Sequence, residues 1–454
     1  MKHIYFVGIK GVGMAALAIY CKEAGMKVSG CDTAEEFPTD DELKKANIPV
    51  DFGFDPQLLK KADLVIYTGA HEGRDNPVVV KARERGIETL PHGKALGMFM
   101  EGSRQITVAG SHGKTTTAAM IATILKSAGK DPSYAIGAGA IGESAAGHFG
   151  KANIFIAEGD EYVTDHGHDE TPRFLWQKPE LLVVTNIDFD HPDVYANIRN
   201  VQDAFVSLQE KSSTTIINRD DHNSRILREG ISFGFSPQAD FRITHSGVGR
   251  ERMFFTLEQK GVKLGEFALK VPGAHNVSNA TAAVVTCQAL GISIDKIHKG
   301  LLDFSGTKRR FEKTGEANGV IYYDDYAHHP AEIKATLKAA REWYPEKKII
   351  AVFQPHTYSR TKALLPDFAR SFQDATMVIL TDIYASARES YSHGITGKTL
   401  VEETLKHHGS VRYGKDFFEV EKILERESGD IVIFMGAGDI YTWAKKLWMK
   451  NSKS

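Results

Sequence analysis

The sequence predicts an α/β protein of three domains, on the basis of its length and of a repeated local pattern. With 454 residues, the chain is too long for one hydrophobic core and is typical of about three domains. Apolar strand-like runs lead into glycine-rich turns that open helical patterns, as in HIYFVG, QITVAG and IVIFMGAG. Strands that alternate with helices in this way predict parallel sheets with crossover helices.

Two turn-rich breaks divide the chain into the predicted domains. They lie near MEGSR and FSGTKRR, which gives an N-terminal domain over residues 1–103, a central domain over 104–305 and a C-terminal domain over 306–454. The stretch from about Thr215 to Val271 differs from the rest of the central domain, with short alternating segments such as FRITHSG and RMFFTLEQKGVKLGEFALKV. We expect these segments to form a small antiparallel addition to the central sheet.

The composition is that of a globular protein with no bulk attraction to polyanions. The formal net charge is −2, so neither nucleic acid nor an acidic membrane surface is an expected partner. Three widely spaced cysteines favour a reducing compartment over a disulfide framework. The opening MKHIYFVG is typical of a first strand and not of a signal peptide, and the apolar runs are too short to cross a bilayer. We therefore expect a cytoplasmic protein.

The first glycine turn has the pattern of a nucleotide-binding site. Gly11, Val12 and Gly13 follow the first strand, and Asp32 ends the next apolar run, KVSGCD. Such a turn lets a diphosphate approach the N–H groups of a helix N-terminus, and an acid after the second strand can bind a ribose. The pattern does not separate NAD from a UDP-sugar, and a turn that only packs a helix on a sheet is an alternative.

A second glycine turn, GSHGKTT, predicts a site for a nucleoside triphosphate. Because Val108 stands where the general phosphate-binding loop has its first glycine, the strict pattern is not met. The other parts are present, since Lys114 can neutralise phosphate oxygens and Thr115 can reach Mg²⁺. We expect ATP to bind at the residues of this turn, which are Gly110, Ser111, His112, Gly113, Lys114, Thr115 and Thr116.

Acidic and histidine side chains follow two later strand-like runs. EGDEY, with Glu158, follows NIFIA, and DFDHPD, with His191, follows LLVVTNI. Oxygen ligands at strand ends suit Mg²⁺ bound to a nucleotide, whereas helix capping is the simpler alternative for any single acid. The segment HGHDE raises a zinc alternative, which lacks cysteines and a full set of ligands.

Polar segments of the last third are candidates for nucleotide and amine binding. Asn276 and Asn279 in HNVSN have helical spacing and can face a purine or a ribose, or simply cap a helix. TKRRFE provides Arg309 and Arg310, and an arginine there can clamp a phosphoryl group or form a surface ion pair. In DDYAHHP, His328 or His329 can take a proton from an amine near neutrality, or the segment is simply a polar loop. The segment FQPHTYSR adds His356 and Arg360.

The order of these motifs resembles that of the Mur ligases of peptidoglycan synthesis. The resemblance covers nearly the whole chain, through GKT, EGDE, NIDFDHPD, HNVSN, RRFE, DDYAHHP and FQPHTYSR. It implies a Rossmann-like N-terminal domain that binds a UDP-linked substrate, a central P-loop ATPase domain and a Rossmann-like C-terminal domain. The loop of this family, G-T/S/A-x-G-K-T/S, lacks the earlier glycine, which accounts for Val108.

The reaction that the resemblance implies is the ATP-dependent formation of an amide. UDP-N-acetylmuramate would supply the carboxylate, L-alanine would supply the amine, and an acyl phosphate would be the intermediate. The alternative amine is the murein-recycling tripeptide L-Ala-γ-D-Glu-meso-diaminopimelate. The implied cofactors are ATP and Mg²⁺ at two sites, and we expect a monomer or a weak homodimer.

The resemblance also implies residue roles, motif by motif. Thr115 and Glu158 would hold one Mg²⁺, and His191 would belong to the second metal site. Gly11, Val12, Gly13 and Asp32 would contact the UDP substrate. The nucleotide contacts would be Lys114 at the phosphates, Arg310 at the γ-phosphate, Asn276 and Asn279 at the adenine and Asp325 at the ribose. Tyr326, His328, His356 and Arg360 would surround the amino acid. The implied catalytic residues are Lys114, His191, Arg310, His328 and His356.

Three features depart from the family pattern. Lys10 stands where glycine is common in the first turn, and Thr357 stands where arginine is often found. The segment EYVTDHGHDETPRFLWQKPE is longer than usual and resembles that of the tripeptide-using branch. This segment favours the tripeptide, whereas DDYAHHP and FQPHTYSR favour a free amino acid. We expect L-alanine to be the preferred acceptor.

Two other classes of function are compatible with single motifs. An NAD-dependent oxidoreductase would use the first glycine turn, but it would leave the lysine-containing loop unexplained. A non-catalytic nucleotide switch would use ATP only to set domain closure. Formation of ADP that depends on an amine separates the ligase from both alternatives.

Overall fold

The protein is an α/β structure with three main sheets, as the sequence predicts. The computed structural model describes residues 1–249, 251–385, 392, 394–427 and 429–451. The main sheets have five, ten and six strands in chain order, and a separate two-stranded hairpin belongs to the middle of the chain. Most strands are apolar runs that are buried along their length, as expected where helices cover both faces of a parallel sheet.

The N-terminal sheet is parallel, with strand order β3-β2-β1-β4-β5. Because the chain reverses its direction of travel across the sheet between β1 and β4, the turn after β1 opens into a crevice. The strands are β1 His3–Val7, β2 Lys27–Asp32, β3 Val50–Phe52, β4 Leu64–Tyr67 and β5 Glu88–Pro91. The helices are α1 Val12–Glu23, α2 Asp40–Lys45, α3 Pro77–Glu84 and α4 His92–Met100.

The central sheet has the order β17-β16-β15-β14-β13-β12-β6-β9-β7-β8. Its strands are β6 Arg104–Ala109, β7 Ser133–Ala135, β8 Gly147–His148, β9 Ile154–Gly159, β12 Leu181–Val184, β13 Thr214–Asn218, β14 Ile231–Gly234, β15 Phe241–Gly249, β16 Arg252–Gln259 and β17 Val262–Leu269. Its helices are α5 Lys114–Ser127, α6 Ile198–Gln209, α7 Ala274–Ala289 and α8 Ile294–Asp303. β15, β16 and β17 pair in antiparallel fashion, which confirms the predicted addition from Phe241 onward. The earlier part of the predicted stretch is different, because β13 and β14 continue the parallel sheet.

The order of this sheet explains why distant motifs meet. Strand β6 lies between β12 and β9, and both pairings are parallel. The carboxyl ends of the three strands therefore lie side by side at one edge of the sheet. The phosphate loop follows β6, the EGDEY segment lies at the end of β9, and the segment leading to DFDHPD follows β12.

The C-terminal sheet has the order β18-β19-β23-β20-β21-β22 and is parallel except for β18. Its strands are β18 Glu312–Ala317, β19 Val320–Asp325, β20 Ile349–Phe353, β21 Met377–Leu380, β22 Val411–Tyr413 and β23 Ile431–Met435. Its helices are α9 Pro330–Trp343, α10 Tyr358–Ala363, α11 Leu365–Ala369, α12 Gly397–Thr404, α13 Phe417–Arg426 and α14 Tyr441–Asn451. The carboxyl ends of β19, β20 and β23 lie together, so DDYAHHP meets FQPHTYSR.

The remaining elements are short. Strands β10 Val163–Asp165 and β11 Asp169–Pro172 form the separate antiparallel hairpin. Single 3₁₀ turns cover Pro56–Leu58, Gly73–Asp75, Arg173–Trp176 and Asn223–Ile226. Within the described part of the chain, none of the helices combines the length and the apolar character needed to span a membrane.

The N-terminal and central sheets share one continuous apolar core. Tyr20 on α1 packs its ring against Phe155 of β9, with ring centres 4.9 Å apart, and also contacts Phe99 and Phe149. Buried residues of both domains belong to the same cluster. The C-terminal sheet has its own clusters, one on each face. The first two domains are therefore joined by apolar packing, whereas the contacts described below between the phosphate loop and the C-terminal domain are mostly polar.

Candidate active site

The phosphate loop occupies residues 110–113, between strand β6 and helix α5. Gly110 and Gly113 have φ values of 136° and 84°, a region that other residues enter only with strain. Asn186 holds the loop, because its Oδ1 accepts a hydrogen bond from the backbone N–H of His112 at 2.9 Å. The Ser111 hydroxyl accepts from the N–H of Asp188 at 2.8 Å. The loop is thus fixed at a helix N-terminus, where phosphate binds favourably.

Lys114 and Thr115 begin helix α5 and contact acids that lie at the end of β9. The Lys114 ammonium donates to Glu161 Oε2 at 2.9 Å, and Thr115 Oγ1 donates to Glu158 Oε2 at 3.0 Å. Burial opposes the charge on Lys114, but Glu161, Asp160 and Glu158 outweigh it and raise the lysine pKa. Burial also raises the pKa of Glu158, so a cation beside this carboxylate would stabilise its ionised form.

Two sets of side chains at this edge have the chemistry to hold a divalent metal ion. Thr115 and Glu158 offer oxygen atoms in the first set. The second set is Glu161, Asp190 and His191, whose ligand atoms lie within 4.8 Å of one another. Glu161 Oε1 is buried and makes no hydrogen bond, which is costly unless a cation or a donor satisfies it, whereas Asp190 Oδ1 already has the Arg360 guanidinium 3.2 Å away. Oxygen-rich sets of this kind fit Mg²⁺.

Glu332 joins the C-terminal domain to the phosphate loop, although the sequence analysis does not single it out. His329 caps helix α9, and Glu332 accepts hydrogen bonds from the N–H groups of His328 and His329 at 3.0 and 3.2 Å. Its other oxygen lies 3.3 Å from His112 Nδ1 and 3.6 Å from Arg310. The available signal was the helix start HPAE, because Glu at the third helical position commonly completes a capping box.

The electrostatics around Glu332 make His112 a cation. Burial opposes ionisation of Glu332, but the neighbouring histidines and Arg310 hold its pKa well below the usual value. Burial also opposes the charged form of His112, yet Asp188 at 3.4 Å and Glu332 outweigh it and raise the His112 pKa to about 10. His112, Asp188 and His329 have the spacing of a metal site. A protonated imidazole, however, offers no lone pair to a metal on that nitrogen.

The four residues predicted around the amino acid lie close to one another. The ring centres of Tyr326 and His328 are 5.0 Å apart, and those of His328 and His356 are 6.3 Å apart. Arg360 Nη2 lies 3.2 Å from Asp190 Oδ1 in the central domain. Burial lowers the pKa of His328 to about 4. His328 is therefore neutral across mildly acidic pH, and its sequence-based description as a group that titrates near neutrality is wrong.

A cavity of about 390 Å³ lies between the central and C-terminal domains. Predicted nucleotide-binding residues on its wall are His112, Gly113, Thr116, Asn276, Asn279, Arg310 and Asp325. Asn276 and Asn279 share a face of helix α7, where Asn279 Nδ2 donates to Asn276 Oδ1 at 3.3 Å. His275 and Phe311 also line this cavity. These two residues are not predictable from the sequence, because they flank motif residues without forming a pattern of their own.

A larger cavity, of about 820 Å³, is lined by residues of all three domains. Predicted residues on its wall are Gly11, Val12, Gly13, Ser111, Gly113, Lys114, Thr115, Glu158, His191, Arg310, Tyr326 and His328. The two cavities share Gly113, Arg310 and Glu332. A triphosphate in the smaller cavity would therefore present its terminal phosphate to a second substrate in the larger one.

Some predicted site residues lie behind the walls of these two cavities. They are Asp32, Gly110, His356 and Arg360. Gly110 shapes the phosphate loop. His356 stacks on Tyr384 with ring centres 5.8 Å apart, and Arg360 pairs with Asp190. Tyr384 and Asp190 both line the larger cavity. His356 and Arg360 therefore lie directly behind residues of its wall.

Asp32 and Lys10 hold the first glycine turn in place. Asp32 is 1% exposed, and its oxygens accept hydrogen bonds from the N–H groups of Lys10 at 2.7 Å and Thr33 at 2.8 Å. The buried Lys10 ammonium lies 3.3 Å from Asp40 and donates to the Glu35 carbonyl at 2.8 Å. These bonds give both residues a role in the shape of the turn. The predicted contact of Asp32 with a ribose stays a prediction.

The long central segment forms the β10–β11 hairpin and lies against the N-terminal domain. Asp169 is 2.8 Å from the Lys94 ammonium, and His168 Nε2 is 2.6 Å from Asp75. His166 at the tip is exposed and lies 3.5 Å from Glu170. The polar residues of HGHDE thus have ion-pair partners that need no zinc. The start of the same segment reaches the phosphate loop and its neighbours, since Glu161 accepts from Lys114 at 2.9 Å and the ring centres of Tyr162 and His191 are 5.0 Å apart.

Comparison with known proteins places the chain in a family. Three domain-family models match the chain. They are described as "Mur ligase family, catalytic domain" at residues 3–104, "Mur ligase middle domain" at 108–287 and "Mur ligase, glutamate ligase domain" at 309–438. The chain belongs to the Mur ligase family. Mur ligase relatives resemble it over its full length. The UDP-N-acetylmuramate–L-alanine ligase of Desulfitobacterium hafniense is 38% identical, over 98% of this chain and 99% of that protein.

Other Mur ligases extend this similarity to solved structures. The UDP-N-acetylmuramate–L-alanine ligase of Caldanaerobacter subterraneus is 39% identical, over 100% of this chain and 98% of that protein. The crystal structure of UDP-N-acetylmuramate–alanine ligase from Thermotoga maritima has a TM-score of 0.85 and 28% identity, over 99% of both chains. A murein peptide ligase from Psychrobacter arcticus has a TM-score of 0.74 at 22% identity, over 100% of this chain and 99% of that one, and shares the fold.

Proposed function

We propose that this chain is an ATP-dependent, ADP-forming ligase that joins L-alanine to the carboxylate of UDP-N-acetylmuramate, a step in the synthesis of peptidoglycan precursors. The observation that carries the proposal is the meeting of two cavities at Gly113, Arg310 and Glu332. One cavity contains the nucleotide-binding pattern, and the other reaches from the first glycine turn to the amino-acid residues. Full-length relatives that carry out this reaction supply the identity of the substrates.

The proposed chemistry has two steps, because a carboxylate and an amine do not condense usefully in water. The lactyl carboxylate of UDP-N-acetylmuramate attacks the γ-phosphorus of ATP, which forms an acyl phosphate and releases ADP. The amine of L-alanine then attacks the acyl carbon, and the C–O bond to phosphate breaks. The products are the amide, ADP and inorganic phosphate, with one proton leaving the amine. Holding both reactants in place supplies much of the rate.

The phosphate end of the site would be handled by cationic side chains of this chain. Lys114 and Arg310 neutralise the charge that develops during phosphoryl transfer. Cationic His112, on the loop itself, adds a further positive charge. Thr115 and Glu158 would hold one Mg²⁺, and His191 with Glu161 would hold a second. Such ions neutralise phosphate charge and polarise the phosphorus and carbonyl centres.

The nucleoside of ATP, the diphosphate of the UDP substrate and the L-alanine would be held by separate elements. Asn276 and Asn279 of α7 face the adenine, and Asp325 at the end of β19 binds the ribose. Gly11 and Gly13 offer backbone N–H groups to the diphosphate of the UDP substrate. Tyr326, His328, His356 and Arg360 surround L-alanine, with neutral His328 as a hydrogen-bond acceptor for the amine.

The proposed setting of the reaction is the cytoplasm. Cys21, Cys31 and Cys287 are free and buried, which is consistent with a reducing compartment. The tripeptide alternative has less support, because the full-length relatives at 38–39% identity are L-alanine ligases, whereas the murein peptide ligase structure is 22% identical. L-alanine is therefore the proposed acceptor.

A phosphate-release assay with UDP-N-acetylmuramate and ATP tests the proposal. L-alanine, L-serine, glycine and L-Ala-γ-D-Glu-meso-diaminopimelate are compared as acceptors at equal concentration. L-alanine should give the highest kcat/KM, and phosphate release should require both the acceptor and the UDP substrate. A tripeptide that is markedly better than L-alanine would transfer the assignment to the recycling reaction. Phosphate release that does not depend on any acceptor would contradict the assignment of the protein as a ligase.

A further inference from the structure

Arg360 and Asp190 form a buried ion pair between the C-terminal and central domains. Arg360 Nη2 lies 3.2 Å from Asp190 Oδ1, and their side chains are 10% and 9% exposed. The pair is incompletely satisfied, since Arg360 Nε and Asp190 Oδ1 are buried and make no hydrogen bond. A buried ion pair recovers the cost of removing two charges from water only when additional hydrogen bonds complete it. A ligand that supplies these hydrogen bonds would therefore stabilise the two charges.

The pair lies beside the part of the larger cavity where the amine is expected. Asp190, His328 and Tyr384 line that cavity. His191 Nε2 is 3.8 Å from Asp190 on the same loop. The pairing with Arg360 thus places a carboxylate and a guanidinium together beside this wall of the cavity.

We propose that Asp190 binds the α-ammonium group of the incoming amino acid while Arg360 binds its α-carboxylate. This inference rests on the proposed function, because it assigns the contacts of the acceptor. An amino-acid zwitterion carries one negative and one positive group on the same carbon, which is the complement of the Asp190–Arg360 pair. When the zwitterion binds between the two side chains, one ion pair that lacks hydrogen bonds is replaced by two charge-assisted hydrogen-bonded pairs. The net charge of the site is unchanged.

The exchange also explains how a free amino acid is distinguished from a peptide. The N-terminal residue of a peptide has an ammonium group, but its α-carboxyl is an uncharged amide. A peptide would separate Arg360 from Asp190 without replacing the negative charge, and it would leave a buried guanidinium unpaired. A site that bonds a polar group discriminates strongly against a ligand that lacks the group. Asp190 and Arg360 together therefore determine specificity for L-alanine.

Two analogues that each retain one charge test the proposal. Propionate has the carboxylate alone, and L-alaninamide has the ammonium alone. Inhibition constants of both against L-alanine are measured in the phosphate-release assay for the wild type and for Asp190→Asn. The variant should raise the KM of L-alanine and the inhibition constant of L-alaninamide about tenfold or more, the scale of a lost charged hydrogen bond. Propionate should bind equally well or better, because Asp190 no longer competes for Arg360.

Arg360→Lys is the second variant, and it should weaken propionate and L-alanine while affecting L-alaninamide less. Asp193→Asn is the matched control, since this exposed residue lies on the same loop and should leave all three constants unchanged. The KM values of ATP and UDP-N-acetylmuramate should stay within about twofold in Arg360→Lys and Asp193→Asn, a change below 0.5 kcal/mol. Thermal unfolding of each variant confirms that it is folded.

Opposite responses of propionate and L-alaninamide to Asp190→Asn support the proposal. Equal weakening of both analogues, or a rise in the KM of ATP with that of L-alanine unchanged, would overturn it and assign Asp190 to the metal-binding set. Near-normal L-alanine kinetics in Asp190→Asn would also overturn it. Failure of the proposed function is a separate result, because the wild type would then show no phosphate release that depends on L-alanine.

Discussion

Thr357 is the clearest point of backbone strain near the candidate site. It is a β-branched residue with φ of 67°, a conformation that such residues rarely adopt. It lies between His356 and the helix that carries Arg360, and its N–H donates to the Tyr384 carbonyl at 2.9 Å. Strain of this kind persists where surrounding contacts enforce it, which is common at functional sites. The observation indicates that Thr357 fixes the directions of His356 and Arg360.

Thr357→Gly should therefore separate stability from activity. Removing the side chain relieves strain worth about 1–3 kcal/mol, from which the greater flexibility of glycine in the unfolded chain subtracts about 0.5–1 kcal/mol. We expect a small rise in stability by denaturant unfolding and a several-fold higher KM for L-alanine. Lys260→Gly is the control, because Lys260 has φ of 48° in the turn between β16 and β17. The control should leave the KM unchanged, and an unchanged KM in Thr357→Gly would argue against the positioning role.

Lys114→Ala should abolish turnover with little effect on the binding of UDP-N-acetylmuramate. Lys114 belongs to the phosphate loop, whereas Gly11 and Gly13 lie on the N-terminal domain. The rate should fall by a factor on the order of a hundred or more if the ammonium stabilises transition-state charge. Single-turnover kinetics measures the loss, and calorimetry with the UDP substrate alone provides the control. Near-normal turnover would remove the loop from the mechanism.

Single residues were predictable where they belong to motifs and not where they act across the fold. Lys114, Thr115 and Glu158 follow strands in the sequence, and the structure brings their side chains into contact. Glu332 has no such signal beyond a helix start, because its contact with His112 joins residues 220 positions apart. The pKa of His328 was not predictable either, since it depends on burial that only the folded chain creates.

At the scale of elements, the β10–β11 hairpin shows the limit of reading a segment by its length. Its length favours a peptide acceptor when the sequence is taken alone, yet its ion pairs reach the N-terminal domain through Lys94 and Asp75. The strand–turn–helix units, by contrast, were predictable because their apolar runs and glycine turns are local. The docking partner of a hairpin depends on the packing of separate domains, which local patterns do not encode.

Reversing one charge of the hairpin contact should weaken binding of the UDP substrate. Asp169→Lys places two cations together and should raise the KM of UDP-N-acetylmuramate by up to about fivefold, as expected for a partly exposed pair. Lys94→Glu combined with Asp169→Lys restores the attraction and should recover most of the loss. Glu84→Lys is the control, because its pair with Lys81 at 2.7 Å is exposed and lies within α3. Failure of the double variant to recover would show that the pair does not orient the domain.

At the scale of the whole molecule, the domains are joined in two different ways. Apolar packing around Tyr20 joins the N-terminal domain to the central one, and such contacts do not titrate. The contacts between the phosphate loop and the C-terminal domain include the ion pairs of His112 with Glu332 and of Asp190 with Arg360. Polar interfaces of this kind separate more readily when a ligand or a proton changes their charge. Closure of the C-terminal domain should therefore depend on pH.

The His112–Glu332 pair sets the direction of that dependence. The pKa of His112 is raised to about 10 in the folded protein, whereas an ordinary histidine has a pKa of about 6.5. A raised pKa contributes stability that is fully present below about pH 6.5 and is lost as the pH rises toward 10. His112→Gln should therefore lower the Tm by a few degrees at pH 6 and by much less at pH 9.5. Glu332→Gln removes the partner carboxylate, so the Tm of this variant should change less with pH over the same range. Equal Tm differences between wild type and His112→Gln at both pH values would show that this pair does not hold the domains together.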